Sequence, residues 1–226
     1  MRFEDLPESM KNDFTRGFWE TLRGKKGTLA AKRALDVAAA FLILLVLSPV
    51  LLLLAVAVKL DSPGPVFYRQ IRVGRYNRDF KIYKFRTMVR DADRIGPAVT
   101  VGEDPRITRV GRLIRKCRMD EFSQLFNVLN GTMSLVGPRP EIRKYVDAYS
   151  PEGMATLLVR PGVTAPSSIA FKDEDRLLDA ARDPDRVYLE EILPPKTKLN
   201  LEYLRGISVS GDVKILFRTV AAVLKR

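Results

Sequence analysis

The apolar residues of the chain concentrate in one run, Ala34 to Val58, in which Asp36 is the only charge. A helix of that length would be roughly 37 Å long, enough to cross a hydrocarbon core of about 30 Å. Ser48-Pro49 lies inside it. Pro49 removes a backbone hydrogen bond to Leu45 and crowds the preceding turn, so a break is expected there, with the Ser48 hydroxyl meeting a freed carbonyl. The two arms are then about 22 Å and about 15 Å long, each too short to cross alone. Lys32 and Arg33 precede the run, and Lys59, Arg69, Arg72 and Arg75 follow it. Positive residues favour the cytoplasmic side, so both ends are expected there. The expected element is a re-entrant helix-break-helix over residues 32–60; a Pro-kinked single crossing is the alternative. Asp36 is expected to pair with Lys32, four residues earlier.

Shorter periodicities flank this run. Phe14, Phe18, Trp19 and Leu22 recur at helical spacing among Arg16, Arg23, Lys25 and Lys26. That pattern suits either a helix lying on a membrane surface or a loosely ordered extension. No secretory signal is expected, because the apolar run begins late and no small-residue cleavage site follows. Val66–Gly74 and Phe80–Met88 read as strands, the second with Lys84 and Arg86 on one face. Thr108 caps an expected helix whose apolar stripe is Val110, Leu113, Ile114 and Cys117, with Arg109, Arg112 and Lys116 on a basic stripe. Tyr188–Leu204 reads as a helix broken at Pro194-Pro195, and Gly211–Arg226 as a closing helix, interfacial in the first reading and core-packing in the alternative.

The stretch Met119 to Leu129 carries the chemistry. Met119, Phe122, Leu125, Phe126 and Leu129 form an apolar helical stripe, and Gly131 supplies a left-handed cap. Asp120 and Glu121 then fall at the helix N-terminus, where the peptide dipole favours an ionised carboxylate of low pKa. Such a group serves as a nucleophile, as a metal ligand, or merely as a helix cap.

Composition narrows the options. The chain has 226 residues, no histidine, one cysteine and a formal net charge of +12. The lack of histidine excludes Ser-His and Cys-His catalytic pairs and histidine-ligated zinc. A lone Cys117 excludes an intrachain disulfide framework. The positive excess suits nucleic acid, an anionic membrane surface or phosphorylated substrates.

A set of motifs in fixed order then resembles the bacterial sugar transferase family, the single-leaflet polyprenyl-phosphate phosphoglycosyl transferases. The set comprises Lys32-Arg33-Ala34-Leu35-Asp36, Leu47-Ser48-Pro49, Asp61-Ser62-Pro63-Gly64-Pro65, Lys84-Phe85-Arg86-Thr87-Met88, Asp104-Pro105-Arg106, Asp120-Glu121, Gly137-Pro138-Arg139-Pro140 and Arg160-Pro161-Gly162-Val163-Thr164. The resemblance implies transfer of a sugar 1-phosphate from a UDP-sugar to undecaprenyl phosphate with release of UMP. It implies Asp120 as the nucleophile and magnesium ligand, Glu121 as its dyad partner and Mg²⁺ as the metal. Arg139, held between Pro138 and Pro140, is assigned to the nucleotide diphosphate. Arg86, Arg112, Arg160 and Lys84 are further candidates for phosphate contact, because guanidinium forks fit phosphate oxygens. Two departures stand out. Met119, Phe122 and Ser123 replace two leucines and a proline of the dyad helix, and Ala165-Pro166-Ser167-Ser168 replaces the family's Gly-X-Ala-Gln. The second departure leaves the sugar open.

The expected fold is a helix-rich α/β protein. Residues 1–31 form an extension, 32–60 the re-entrant helix and 61–226 one cytosolic catalytic domain at the inner membrane. The expected partners are UDP-sugar, undecaprenyl phosphate and membrane lipid, with no nucleic acid and with a homodimer left open. The alternative is a membrane-anchored basic protein that binds nucleic acid or anionic lipid without catalysis.

Overall fold

The apolar run folds as one helix, α2 (Lys26–Asp61), which follows α1 (Asp13–Gly24). The structure is a computed structural model and describes residues 2–95, 104–179 and 181–224. Helical geometry continues through Pro49, so the expected division into two helices is not seen. The Ser48 hydroxyl donates to the Leu45 carbonyl at 2.8 Å, the acceptor that Pro49 leaves empty. That bond stands in for the missing backbone donor.

One stripe of α2, running through Ala40, Leu44, Leu47, Leu51, Leu54 and Val58, packs on the rest of the chain. Its steps of three and four residues keep it on one helical face. The other face is bare: Val46 is 74%, Leu53 70% and Leu60 81% exposed. Only 11% of the most apolar stretch is buried inside the protein, and no other helix among the described residues is long and apolar enough to cross a bilayer. A continuous apolar surface of this kind marks a contact with membrane or with another protein. A second apolar face lies beside it on α6 (Val209–Leu224), where Val213, Phe217, Val220 and Val223 are exposed. The closing helix is described to Leu224; Lys225 and Arg226 lie outside the described residues.

Both ends of α2 are tied to one folded body. Near its start, Arg33 donates to the carbonyls of Val128 at 2.7 Å, Leu129 at 3.3 Å and Met133 at 3.4 Å. Lys32 pairs with Asp36 at 3.7 Å, as expected, and also with Asp212 of α6. Asp36 in turn accepts from the Ser134 hydroxyl at 2.7 Å and the Leu135 amide at 3.1 Å. At the other end Arg86 donates to the carbonyls of Val58 at 3.2 Å, Ser62 at 2.6 Å and Pro63 at 3.1 Å. Asp61 accepts from the Val110 amide at 2.9 Å.

The sheets are small. Strands β1 (Phe67–Val73) and β2 (Asp79–Phe85) form an antiparallel hairpin; β3 (Ser134–Val136) and β4 (Gly162–Thr164) pair in parallel. Ile82 and Phe85 of β2 are both buried, although they point to opposite faces of the strand. Helix α3 (Arg109–Lys116) is capped by Thr108, whose hydroxyl accepts from the Gly111 amide at 3.0 Å. Of its expected stripe only Ile114 is buried; Leu113 and Cys117 are exposed. Helix α4 is Gln124–Leu129 and α5 is Leu193–Arg205. A short π-helix, Tyr188–Ile192, ends where α5 begins, so the helical stretch changes at Pro194 and Pro195 as expected; both prolines sit in the first turn of α5, where a missing amide is tolerated.

The N-terminal segment differs from the membrane-surface expectation. Phe18, Trp19 and Leu22 of α1 are buried in the core with Leu6 and Met10, and Phe14 alone of that stripe is exposed. The apolar face of α1 is used up on the turn Gly153–Leu158 and on α5.

Candidate active site

The Asp-Glu pair does not open an α-helix. Met119–Ser123 is a turn of 3-10 helix, and α4 follows it. Arg118, just before it, has φ 51°, a left-handed conformation that is unusual for a side chain of this size. Ser123 ties the turn down: its hydroxyl donates to Tyr83 O at 3.0 Å and to Asp120 O at 3.1 Å. The expected stripe is also altered, since Leu125 and Val128 are buried while Phe126 is exposed. Gly131 takes φ 87°, the left-handed conformation expected of it.

Asn127 of α4 fixes strand β2 in register. Its fully buried amide accepts from the Tyr83 N–H at 2.9 Å and donates to the Lys81 carbonyl at 2.9 Å. The side chain thus imitates a neighbouring strand. That register carries Lys84 to Glu121, with Nζ at 3.4 Å from Oε1. Arg139 reaches the same carboxylate with two nitrogens, at 2.5 Å and 3.3 Å.

The loop that holds Arg139 is built by close backbone contact. Gly137 donates to the Thr164 carbonyl at 3.0 Å, and Gly162 donates to the Pro138 carbonyl at 2.9 Å. A Cβ on Gly162 would fall 2.1 Å from the Gly137 nitrogen, and one on Gly137 would fall 2.6 Å from the Arg160 carbonyl. Only glycine at both positions lets the two segments meet. The Pro140 carbonyl accepts from Arg72 at 3.2 Å.

The two carboxylates are held differently. Burial acts to raise Glu121, but Arg139 and Lys84 outweigh it and hold its carboxyl far below the usual range. Asp120 is pushed up, first by burial and then by the charge of Glu121, against the partial opposition of Lys84. The low pKa expected for Asp120 from a helix dipole is therefore reversed, because a neighbouring anion and desolvation exceed a short 3-10 turn. Burial also draws Lys84 down, with Glu121 opposing.

Of the residues singled out from the sequence, the structure gathers Asp120, Glu121, Lys84 and Arg139, with Pro138 and Pro140 bracketing the last. Three arginines lie elsewhere. Arg86, beyond the end of β2, is buried and holds the exit of α2 through three carbonyls and the Ser62 hydroxyl. Arg112 is exposed on α3. Arg160 donates to the Gly131 carbonyl at 2.8 Å, beyond the end of α4 remote from Asp120.

Other residues around the site drew no role from the sequence. Arg72 on β1 lies behind Arg139, held by Gln70 at 2.7 Å and 3.0 Å. Arg115 donates to Thr87 at 2.9 Å and adds positive charge near Asp120. Buried Glu141 meets the Tyr188 hydroxyl and lies 3.6 Å from Lys196, which also pairs with Glu174 at 2.9 Å. Arg72 stood among the basic residues that follow the apolar run; Arg115, Tyr188 and Lys196 had no local signal.

No cluster of three or more acidic, cysteine or histidine ligands occurs among the described residues. The pair Asp120-Glu121 still fits Mg²⁺, which is commonly held by one or two carboxylates together with substrate phosphates. Asp120 is the better placed, since Glu121 is already paired with Arg139 and Lys84.

Comparison with known proteins identifies the family. A relative from Aeromonas hydrophila, a UDP-N-acetylgalactosamine-undecaprenyl-phosphate N-acetylgalactosaminephosphotransferase, is 40% identical over 196 residues, covering 85% of this chain and 43% of its own. The UDP-glucose:undecaprenyl-phosphate glucose-1-phosphate transferase of Escherichia coli (strain K12) is 41% identical over 198 residues, covering 84% of this chain and 39% of its own. The exopolysaccharide production protein PSS of Rhizobium leguminosarum bv. phaseoli is 38% identical over 210 residues, covering 88% of this chain and 97% of its own. The chain thus spans less than half the length of the first two. The sequence model described as "Bacterial sugar transferase" matches residues 27–226, which takes in α2, the Asp120-Glu121 turn and the Arg139 loop, so the chain belongs to the bacterial sugar transferase family.

Proposed function

We propose that the protein transfers a sugar 1-phosphate from a UDP-sugar to undecaprenyl phosphate at the cytoplasmic face of the bacterial inner membrane. The observation that carries this reading is the contrast between two neighbouring carboxylates. Glu121 is ion-paired with Arg139 and Lys84, and Asp120 beside it forms no ion pair among the described residues. The names of the relatives support the substrates. The reading of the chain as a basic binding protein without catalysis gains nothing from them.

In this reading an Asp120 oxygen attacks the β-phosphorus of the UDP-sugar. The bond from that phosphorus to the bridging oxygen breaks, and the bridging oxygen leaves with UMP. A phosphosugar–aspartyl acyl phosphate, a mixed anhydride, remains. An oxygen of undecaprenyl phosphate then attacks the same phosphorus, expels the Asp120 carboxylate and forms the undecaprenyl diphosphate sugar. Kinetics are accordingly ping-pong. No general base is needed, because both nucleophiles are already anions.

The residues divide the electrostatic task. Glu121 holds Lys84 and Arg139 in place, and the donors these cations do not spend on Glu121 face the donor phosphates. Pro138 and Pro140 limit the motion of Arg139. Mg²⁺, when bound, neutralises charge on the phosphate oxygens. The raised pKa of Asp120 reflects a site that disfavours a bare carboxylate, which suits a nucleophile that is to become an acyl phosphate.

The re-entrant topology belongs to the same proposal. Lys32 and Arg33 at one end of α2 and Val58 to Ser62 at the other are bonded to a single body. Two ends held by one polar body support entry and exit by one leaflet over a crossing. The test is UMP release: it requires both a UDP-sugar and undecaprenyl phosphate, and disappears in Asp120→Asn. Turnover surviving that change would reject the reading.

A further inference from the structure

Away from the Asp120 site, a cavity of about 60 Å³ opens between the first turns of α2, strand β3 and the end of α5. That is several times the roughly 15 Å³ needed to admit one water, enough for a small oxyanion. Its wall holds four cations, Lys32, Arg33, Arg75 and Arg160, and one carboxylate, Asp36. Lys32 is neutralised by Asp36 and Asp212. Among the described residues, no carboxylate forms an ion pair with Arg33, Arg75 or Arg160. Arg33 and Arg160 donate to main-chain carbonyls. Arg75 donates to the Leu158 carbonyl at 2.9 Å and lies over the Tyr76 ring at 4.3 Å. Arg75 is lowered by burial and further by the charge of Arg160, so these two guanidinium groups repel each other across the space. Asp36, the one carboxylate in the wall, is shared with Lys32 and acts on Arg33 as well, so the guanidinium groups of Arg33, Arg75 and Arg160 outnumber the anions of this partly apolar cavity.

We propose that Arg33, Arg75 and Arg160 form a second anion site, distinct from the Asp120 centre, that takes one phosphate group. None of Asp120, Glu121, Lys84 or Arg139 lines it. The proposal rests on these residues alone and not on the reaction proposed above. The cavity is lined by Leu29 and Lys32, residues of α2 that lead into the apolar run. The phosphate can therefore come from an anionic lipid headgroup or from solution, and each source has its own test.

Trp19, the only tryptophan, packs on Tyr76 with ring centroids 6.3 Å apart, and Tyr76 in turn lies beneath Arg75. Its emission reports on this corner. The full chain is placed in nanodiscs of phosphatidylcholine alone, or of phosphatidylcholine with one tenth phosphatidylglycerol. In the first, inorganic phosphate is titrated against chloride at matched ionic strength. A saturable emission change with phosphate identifies a solution anion as the ligand. A change produced by phosphatidylglycerol, with one such lipid retained per chain in native mass spectrometry, identifies a headgroup. Either response should weaken at least tenfold in the double variant Arg75→Gln, Arg160→Gln. It should recover in part in Arg75→Lys, Arg160→Lys, which keeps the charge but not the fork. If wild-type protein responds to neither probe, the proposal is overturned whatever the variants do. It is equally overturned if the folded Gln variant responds as wild type does.

Discussion

Asp120 and Glu121 are neighbours in the chain with opposite electrostatic fates, and that contrast yields two predictions. The pKa of Glu121 is depressed in the folded protein, so its pair with Arg139 and Lys84 contributes stability above the ordinary glutamate range of about 4.3, and that contribution is lost as pH falls below it. Glu121→Gln leaves Arg139 and Lys84 without their anion. It should cost roughly 1–3 kcal/mol in denaturant unfolding, at the lower end because the pair is partly solvated. The sign is reversed for Asp120. Its folded pKa is raised, so a stabilising contribution present at low pH is lost as pH rises through the folded value. Asp120→Asn should therefore raise the thermal midpoint at neutral pH while lowering turnover by on the order of 10³-fold or more. The acid limb of kcat/KM should also lie above the ordinary aspartate value of about 3.9. An unchanged midpoint, or a limb at the ordinary value, would contradict this picture. The sequence identified the pair and its place before α4, but not the direction for Asp120. A dipole argument sees only the local turn, whereas burial and the Arg139 clamp on Glu121 come from segments far along the chain.

At the scale of elements, the site depends on how β2 meets α4. Asn127 lends β2 the hydrogen bonds of a missing strand neighbour, and the register it fixes carries Lys84 to Glu121. Asn127→Leu fills similar space but leaves the Tyr83 amide and the Lys81 carbonyl unpaired in a buried setting. The expected cost is about 2–4 kcal/mol, with a raised KM for the nucleotide sugar; an unaltered KM would show that register does not position Lys84. Strand and helix periodicities revealed β2, α3 and α4. They did not reveal where Arg86 would go. Strand alternation put it beside Lys84, but β2 ends at Phe85 and the side chain turns to the carbonyls that close α2. Likewise the α1 stripe was visible as apolar while its covering surface was not. Periodicity says that a face is buried, not whether protein or lipid buries it.

For the whole molecule, the question is where the bilayer lies. The apolar faces of α2 and α6 are exposed side by side, and both ends of α2 are fastened to the same body. In a Cys117→Ser background, cysteines introduced as Lys26→Cys and Arg69→Cys should label from the cytoplasmic side alone. Labelling from opposite sides would replace the re-entrant arrangement with a crossing. The length and composition of α2 were plain in the sequence, and so was the Ser48-Pro49 interruption. The unbroken helix through Pro49 was not, because it depends on one hydroxyl finding the vacated carbonyl.

The central claim is that Asp120 forms an acyl phosphate with the phosphosugar. The most direct measurement is intact and peptide mass spectrometry of the purified protein, incubated with a panel of UDP-sugars and Mg²⁺ but without undecaprenyl phosphate. The account predicts an added sugar phosphate on the peptide that carries Asp120, discharged when undecaprenyl phosphate is supplied and absent from Asp120→Asn. Turnover with both substrates, but with no trapped adduct on Asp120 under single-substrate conditions, would contradict it.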